Sequence, residues 1–238
     1  KDAAYSRIVA LAGLIERHFA SQGSGALPPA RPLSVRLRTL DAVQALESGL
    51  MAMERLEYAA AREAFARAAT LDGRHPLPQA WLSRVEQLLR HTDAAGEAAD
   101  RAARLVTDDT PVSDALVSRA VWATARQDFR GAEALYQELV ARYPDEPRWQ
   151  GELASFYERQ GRLDDAVAIY QRVRGTPLAL PRFDLDLCRL YARRDDLSRA
   201  REHARLAIAQ YREMGFRSGE AQALLCEADI LRLGGAGE

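Results

Sequence analysis

Residues 154–173 read ASFYERQGRLDDAVAIYQRV, and the segments that lie 34 residues before and after them follow the same pattern. These segments are AVWATARQDFRGAEALYQEL (120–139) and CRLYARRDDLSRAREHARLA (188–207). Each begins with a small residue and has an alanine twelve positions later, at Ala132, Ala166 and Ala200. Ala98 and Ala61 extend this alanine series upstream by 34 and 37 residues. A recurring period of this length predicts stacked units rather than one globular core.

The residue types at these positions have a physical reason. Two antiparallel helices approach closely only where small side chains face each other, so the small residue of the first helix should contact the alanine of the second. Four residues after the alanine, Tyr136 and Tyr170 lie on the same helix face and should fill the gap to the neighbouring unit. Gly161 between the two helices suits the left-handed conformation that ends a helix.

This pattern resembles the tetratricopeptide repeat, strongly over Asp114–Ala209 and more weakly over Val43–Val106, where Glu86 occupies a small-residue position. The resemblance implies an all-α, right-handed superhelical solenoid of antiparallel helix pairs, with about five repeats plus terminal helices. We expect it to be elongated, and to bind partners on its concave face.

The chain divides into four parts. Residues 1–20 contain an amphipathic helix with the apolar stripe Ile8, Leu11, Ile15 and Phe19. Residues 21–34 form a Gly/Pro-rich linker, residues 35–213 hold five helix pairs, and residues 217–233 form a capping helix. We expect the first helix to dock on the array.

Composition argues against several classes of function. Lys1 is the only lysine, so the chain has no Gly-Lys-Ser/Thr phosphate loop and no Schiff-base lysine within the array. The four histidines lack metal-ligand spacing, and the net charge is −1, which gives no general attraction to nucleic acid. No apolar run is long enough to span a bilayer. We therefore predict no enzyme activity, no cofactor, no metal site, no nucleic-acid partner and no membrane span.

Cys188 and Cys226 are the only cysteines. Buried thiols that pack between helices are the favoured interpretation. The alternative is a disulfide bond between neighbouring units, which would imply an oxidising compartment.

The candidate partner-binding residues come from projecting the repeat onto the first helix of each unit. They form an apolar zone and an arginine-rich zone: Leu46, Leu50 and Met53; and Arg148, Glu152, Arg159, Arg182, Asp186, Arg189 and Arg193. A solvated, salt-bridged helix face is the ordinary explanation of such charges. The functional hypothesis is an acceptor for an acidic peptide, because arginine binds carboxylates with two hydrogen bonds.

The leading functional prediction is a protein–protein interaction scaffold that binds a partner protein or peptide on its concave face. The alternative is the sensor or regulatory region of a larger bacterial signalling protein. For that alternative, Ala45–Leu71 loosely resembles the repeat regions of bacterial serine/threonine kinases and winged-helix regulators. Self-association through the terminal repeats is left open. A cytoplasmic location is favoured, or an extracytoplasmic one if a parent protein is membrane-anchored.

Overall fold

The computed structural model describes residues 37–174 and 180–235, and these residues form eleven α-helices and no strand. The helices are α1 Leu40–Glu54, α2 Tyr58–Leu71, α3 Pro76–Leu88, α4 Thr92–Leu105, α5 Val112–Ala125, α6 Phe129–Arg142, α7 Pro147–Arg159, α8 Leu163–Arg174, α9 Pro181–Arg193, α10 Leu197–Glu213 and α11 Arg217–Gly235. The prediction of an all-helical array of paired helices is confirmed. The predicted first helix and its linker lie outside the described residues, so docking of that helix stays a prediction.

Consecutive helices pair as α1 with α2, α3 with α4, α5 with α6, α7 with α8 and α9 with α10, and α11 packs on the last pair. The alanines of the repeated pattern are fully buried in these pairs: Ala61, Ala98, Ala132, Ala166 and Ala200. In the first pair, a Cβ on Gly49 would lie 2.4 Å from the Phe65 ring. Glycine is therefore required where α1 and α2 cross.

The turn inside each pair has one geometry. The residue that follows the first helix's C-cap has a positive φ in every turn: Leu56, Arg90, Gln127, Gly161 and Asp195. The next residue then donates its backbone N–H five positions back, as from Arg162 to the carbonyl of Tyr157 at 3.0 Å. This is the hydrogen bond of a Schellman motif, which satisfies a carbonyl at the helix end. Gly215 repeats the arrangement before α11.

The second unit matches the repeat pattern weakly because Glu86 occupies a small-residue position, and ion pairs compensate for its buried charge. This carboxylate is buried where other units have a small residue, and it pairs with Arg62 at 2.7 Å and with His91 at 2.7 Å. Burial alone would raise the pKa of Glu86, but its hydrogen bonds to Arg62 and His91 lower the pKa below its ordinary value. The ion pairs replace the close alanine contact without an unpaired buried charge.

The array is curved so strongly that its first and fifth units are in contact. Arg182 of α9 lies 3.9 Å from the Glu54 carboxylate of α1. The Arg55 guanidinium lies over the Phe216 ring, 4.9 Å from its centre. Arg84 of α3 binds Glu152 of α7 at 2.6 Å, although the two residues belong to the second and fourth units. The expectation of an elongated array is therefore wrong, since these contacts close the concave side.

Cys188 of α9 and Cys226 of α11 form a disulfide bond. The interpretation as free buried thiols is therefore wrong. Both cysteines are buried, and the bond fixes the terminal helix to the fifth unit. A covalent link is useful at this place because the end of a solenoid has a neighbour on one side only.

Candidate binding pocket

The helices α1, α3, α7 and α9 line the concave side of the array. Along the axes of these helices, their side chains form three successive layers. The first is aromatic: the rings of Trp81 and Trp149 stack with centres 6.2 Å apart, and Phe65 stacks on Trp81 at 6.1 Å. Leu46, Leu50 and Met53 of α1 are also buried. The apolar zone predicted as a partner surface thus contributes to the core.

The second layer is a network of buried charges. Arg84 is 3 % exposed and Glu152 is 1 % exposed, and they form the 2.6 Å ion pair between α3 and α7. Arg182 lies 3.8 Å from Glu152 and 3.9 Å from Glu54. The network joins the first, second, fourth and fifth units.

The pKa values of the network follow from burial and from these neighbours. Burial alone would raise the pKa of Glu152, but Arg84 and Arg182 lower it below its ordinary value. For Glu54 burial prevails, and its pKa is raised although Arg182 opposes the shift. Burial disfavours the charge of Arg182, yet Glu54 and Asp186 raise its pKa. The arginines therefore remain charged.

The third layer is an open pocket of about 520 Å³. Its walls come mainly from the last turns of the inner helices and the loops after them: Met53, Leu56, Tyr58, Arg84, Gln87, Leu88, Arg90, Ser155, Glu158, Arg159, Arg182, Asp186, Arg189 and Arg193. Six of these residues are arginines and only two are carboxylates. The charged and aromatic layers close the other end of this space, so the pocket is blind. The excess of arginines over carboxylates in its walls makes the pocket positively charged.

Some of the pocket arginines are neutralised by neighbouring carboxylates. Arg193 binds Glu158 at 2.9 Å. Arg189 lies 3.9 Å from Asp186 and donates a hydrogen bond to Gln222 of α11 at 2.8 Å. These two arginines are partly exposed, with 38 % and 49 % of the Arg189 and Arg193 side chains accessible.

Arg159 differs because it has no carboxylate partner within ion-pair distance among the described residues. Its Nη1 donates to Ser155 Oγ at 3.1 Å, and Arg84 Nη2 donates to the same oxygen at 2.8 Å. The Arg159 side chain is exposed at the pocket, yet desolvation by the surrounding protein and repulsion from Arg84 lower the pKa of its guanidinium group. Arg90, on the pocket rim, likewise has no carboxylate within ion-pair distance in the described part of the chain.

Several buried polar atoms around the pocket make no hydrogen bond. They include Arg84 Nη1 and Arg182 Nε, together with Glu152 Oε1 and Glu54 Oε2. A buried N–H group without a partner costs free energy, so polar groups in a folded protein are nearly always satisfied. Two guanidinium donors and two carboxylate acceptors thus remain without a hydrogen bond in the charged layer beside the pocket.

The structure gathers five of the seven charged residues that the sequence proposes, namely Arg159, Arg182, Asp186, Arg189 and Arg193. Of the apolar three, only Met53 also reaches the pocket wall. Glu152 is buried below the pocket. Arg148 lies in the aromatic layer, with its guanidinium 5.9 Å from the centre of Trp81.

Sequence reasoning does not place Arg84 and Arg90 in the site. A signal for Arg84 was present, since Arg84, Ser118, Glu152 and Asp186 follow one another at intervals of 34 residues. These positions share one face of the array, so an arginine two units before a glutamate is a candidate ion pair across a curled solenoid.

A second cavity of about 630 Å³ adjoins the pocket, and Glu158, Arg189 and Arg193 line both. Its other wall is α11, which contributes the exposed side chains of Leu225 and Leu233. The charged pocket thus continues into a groove along the terminal helix that exposes both charged and apolar side chains.

Two absences concern the described residues alone. No three His, Cys, Asp or Glu side chains are grouped there as metal ligands would be. Over the same ranges, no helix combines the length and the hydrophobicity that a bilayer span requires.

Comparison with known proteins identifies the architecture. Residues 123–179 match the tetratricopeptide repeat family model. A tetratricopeptide repeat protein from Parabacteroides merdae superposes with a TM-score of 0.51 at 13 % identity, covering 77 % of this chain and 71 % of that one. The chain has a tetratricopeptide-repeat fold.

Two further solved structures are similar to this chain. One is TTC0263, a thermophilic TPR protein from Thermus thermophilus, with a TM-score of 0.47, 21 % identity and coverage of 77 % of this chain and 99 % of that one. The other is YrrB, described as a TPR protein with an unusual peptide-binding site, with a TM-score of 0.44, 14 % identity and coverage of 79 % and 92 %. No curated protein sequence matches the chain.

Proposed function

We propose that this protein is an interaction module whose blind arginine pocket binds an acidic segment of a partner protein. The observation that supports this most is the gathering of six arginines and two carboxylates around one pocket of about 520 Å³. That volume lies within the range of about 300–1,000 Å³ common for ligand sites. Surface arginines that served only solubility would be dispersed among carboxylates.

The pocket shape restricts how such a segment binds. A chain running through the whole groove is excluded by the Arg84–Glu152 pair and by the tryptophan stack behind it. The partner must instead insert a side chain or a loop tip from the open end. Apolar residues next to the inserted acidic group would then contact Leu225 and Leu233 in the adjoining groove.

The test uses Arg189→Gln combined with Arg193→Gln, because both side chains are partly exposed and their loss leaves no fully buried charge without a partner. The matched control is Arg101→Gln with Arg142→Gln, which removes the same charge from exposed pairs elsewhere on the array. Peptides are selected from a random display library on the immobilised parent. Their dissociation constants are then measured for all three proteins.

We expect the selected peptides to be rich in Asp and Glu. Their dissociation constant should rise about tenfold or more in the pocket variant, since each charge-assisted contact contributes on the order of 1 kcal/mol. Binding should also weaken with salt. Selection of neutral or basic peptides, or equal affinity of acidic peptides for the pocket and control variants, would overturn the proposal.

The same module would serve the alternative context, a regulatory region within a larger bacterial signalling protein.

The Cys188–Cys226 bond favours an oxidising compartment for the protein. Mass spectrometry of the protein, alkylated directly in the cells that make it, measures whether these cysteines are bonded there. Two alkylated thiols would contradict an oxidising compartment.

A further inference from the structure

Three hydrogen-bond donors converge at one side of the pocket. Arg84 Nη2 and Arg159 Nη1 both donate to Ser155 Oγ, at 2.8 Å and 3.1 Å. The hydroxyl oxygen uses its two lone pairs in these bonds, so its proton is left to donate. Arg84, Arg159 and Ser155, which we call the serine–arginine cluster, all line the pocket.

Some N–H groups of this cluster have no hydrogen-bond acceptor within the described part of the protein. Arg84 is almost wholly buried, and its Nη1 makes no hydrogen bond although its Nε is bound to Glu152. Arg159 has no carboxylate partner within ion-pair distance among the described residues. Arg84 also repels Arg159 and lowers the pKa of its guanidinium group. An anion placed between the two would satisfy the free donors and remove this repulsion.

Charge and shape distinguish which anion fits. Arg159 and Arg90 supply two guanidinium groups that have no carboxylate within ion-pair distance in the described part of the chain. A phosphate monoester has a charge of about −1.5 to −2 at neutral pH and three strong acceptor oxygens. A single carboxylate has one charge and two oxygens in a plane. Three donors from three side chains match the tetrahedral group better.

We infer that the serine–arginine cluster binds a phosphate group, presented either by a phosphorylated side chain of the partner or by a free phosphate compound. The inference rests on the proposed function in using the same pocket, and it adds the chemistry of the group that enters it. The guanidinium groups of Arg84 and Arg159 and the Ser155 hydroxyl donate to the phosphate oxygens. Arg90 contributes its charge from the rim.

The experiment titrates the purified chain with O-phospho-L-serine, with inorganic phosphate and with L-glutamate, and follows the heat of binding. The variants are Arg159→Gln and Ser155→Ala, with Arg101→Gln as a charge-matched control outside the pocket. Circular dichroism establishes that each variant keeps the helical fold. Arg84 is left unchanged because its loss would strand the buried Glu152 charge.

We expect saturable binding of one phosphate group per chain, and at least about tenfold weaker binding of glutamate. Arg159→Gln and Ser155→Ala should each raise the dissociation constant about tenfold, as loss of a charge-assisted hydrogen bond does. Arg101→Gln should leave it unchanged. Tighter binding of phosphoserine than of inorganic phosphate identifies a phosphorylated partner as the source, and the reverse order identifies free phosphate.

The inference is overturned if phosphate does not saturate the protein at millimolar concentration, if glutamate binds equally well, or if the cluster variants bind like the control. Its failure is separable from that of the proposed function. Acidic peptides that still depend on Arg189 and Arg193 would leave the interaction module standing without a phosphate site.

Discussion

Asp114 is a buried carboxylic acid at the junction of the second and third units. It is 2 % exposed, and its Oδ1 accepts a hydrogen bond from Ser113 Oγ at 2.9 Å. His75 Nε2 lies 3.6 Å from Asp114 Oδ2, while His75 Nδ1 accepts the backbone N–H of Leu77 at 3.3 Å. Burial raises the pKa of Asp114 to about 6, and burial lowers the pKa of His75. Neither residue lines the arginine pocket.

The first prediction concerns stability against pH. The pKa of Asp114 is about 6 in the folded chain and 3.8 ordinarily, so the folded state binds this proton more tightly. The free energy of unfolding should therefore fall as pH rises from about 4 through about 6, by roughly 3 kcal/mol from this group. His75 makes a contribution of opposite sign to the free energy of unfolding. Because its pKa is lowered in the folded chain, protonation of the ring at low pH destabilises the fold.

Asp114→Asn isolates the carboxyl contribution, because it keeps the size and the acceptor for Ser113 without the charge. Denaturant unfolding of the parent and the variant should give a difference that favours the variant increasingly from pH 4 to pH 7. A difference that does not change with pH would show that Asp114 titrates normally.

At the scale of single helices, the repeat period predicts where the elements lie, because each turn repeats one backbone geometry. Gly161 adopts its positive φ of 74° at the position where Gln127 and Asp195 adopt 62° and 60°. The sequence identifies Gly161 as a helix end, but it does not predict that non-glycine residues adopt the same positive φ in the other turns. The tertiary contacts of the flanking helices impose that conformation and its cost of about 1–2 kcal/mol.

The second prediction compares one substitution at two glycines. A Cβ at either Gly161 or Gly96 would meet nothing within 4 Å, so packing does not distinguish them. Gly161→Ala should lower the free energy of unfolding by about 1–2 kcal/mol, because alanine resists a positive φ. Gly96→Ala, inside α4, should raise it by up to about 1 kcal/mol. Thermal denaturation shifts of the same sign would contradict this account.

The third prediction concerns α11. The disulfide encloses a sequence separation of 38 residues, which corresponds to roughly 4 kcal/mol in the chain-entropy description. Reduction should therefore release the terminal helix before the inner units, since it has a neighbour on one side only. Hydrogen–deuterium exchange should accelerate in α11 and much less in α4. Equal acceleration in both helices, or none in α11, would contradict the prediction.

For the whole molecule, curvature is the property that the sequence does not reveal. Each unit adds a small rotation that depends on the side chains at its interface, and the rotations accumulate along the array. The 34-residue period predicts that Arg84 and Glu152 share a face, but not that the curl of the array brings them to 2.6 Å. The repeat register also predicts Leu46 and Leu50 on a partner surface, whereas both are buried in the hydrophobic core.

The fourth prediction measures this closure with a double-mutant cycle. Arg84→Met or Glu152→Leu alone should each cost about 3–5 kcal/mol, because a buried charge loses its partner. The double variant should be more stable than either single variant, since no charge is then stranded. Urea unfolding gives the coupling energy, and the exposed Arg142–Glu138 pair is the control, expected to couple by about 0.3–0.5 kcal/mol. Additive costs at Arg84 and Glu152 would show that this ion pair between the second and fourth units does not form.

The contact between the first and fifth units also limits how such a chain can change by duplication. An open solenoid tolerates a unit gained or lost in its middle, because each unit meets only its neighbours. In this chain, an added unit between the third and fourth would rotate Arg84 away from Glu152 and Glu54 away from Arg182. Arg84 and Glu54 would then lose their partners across the array, while Arg182 and Glu152 would keep each other at 3.8 Å. The ion pairs between the second and fourth and between the first and fifth units therefore favour an array of the present number of units.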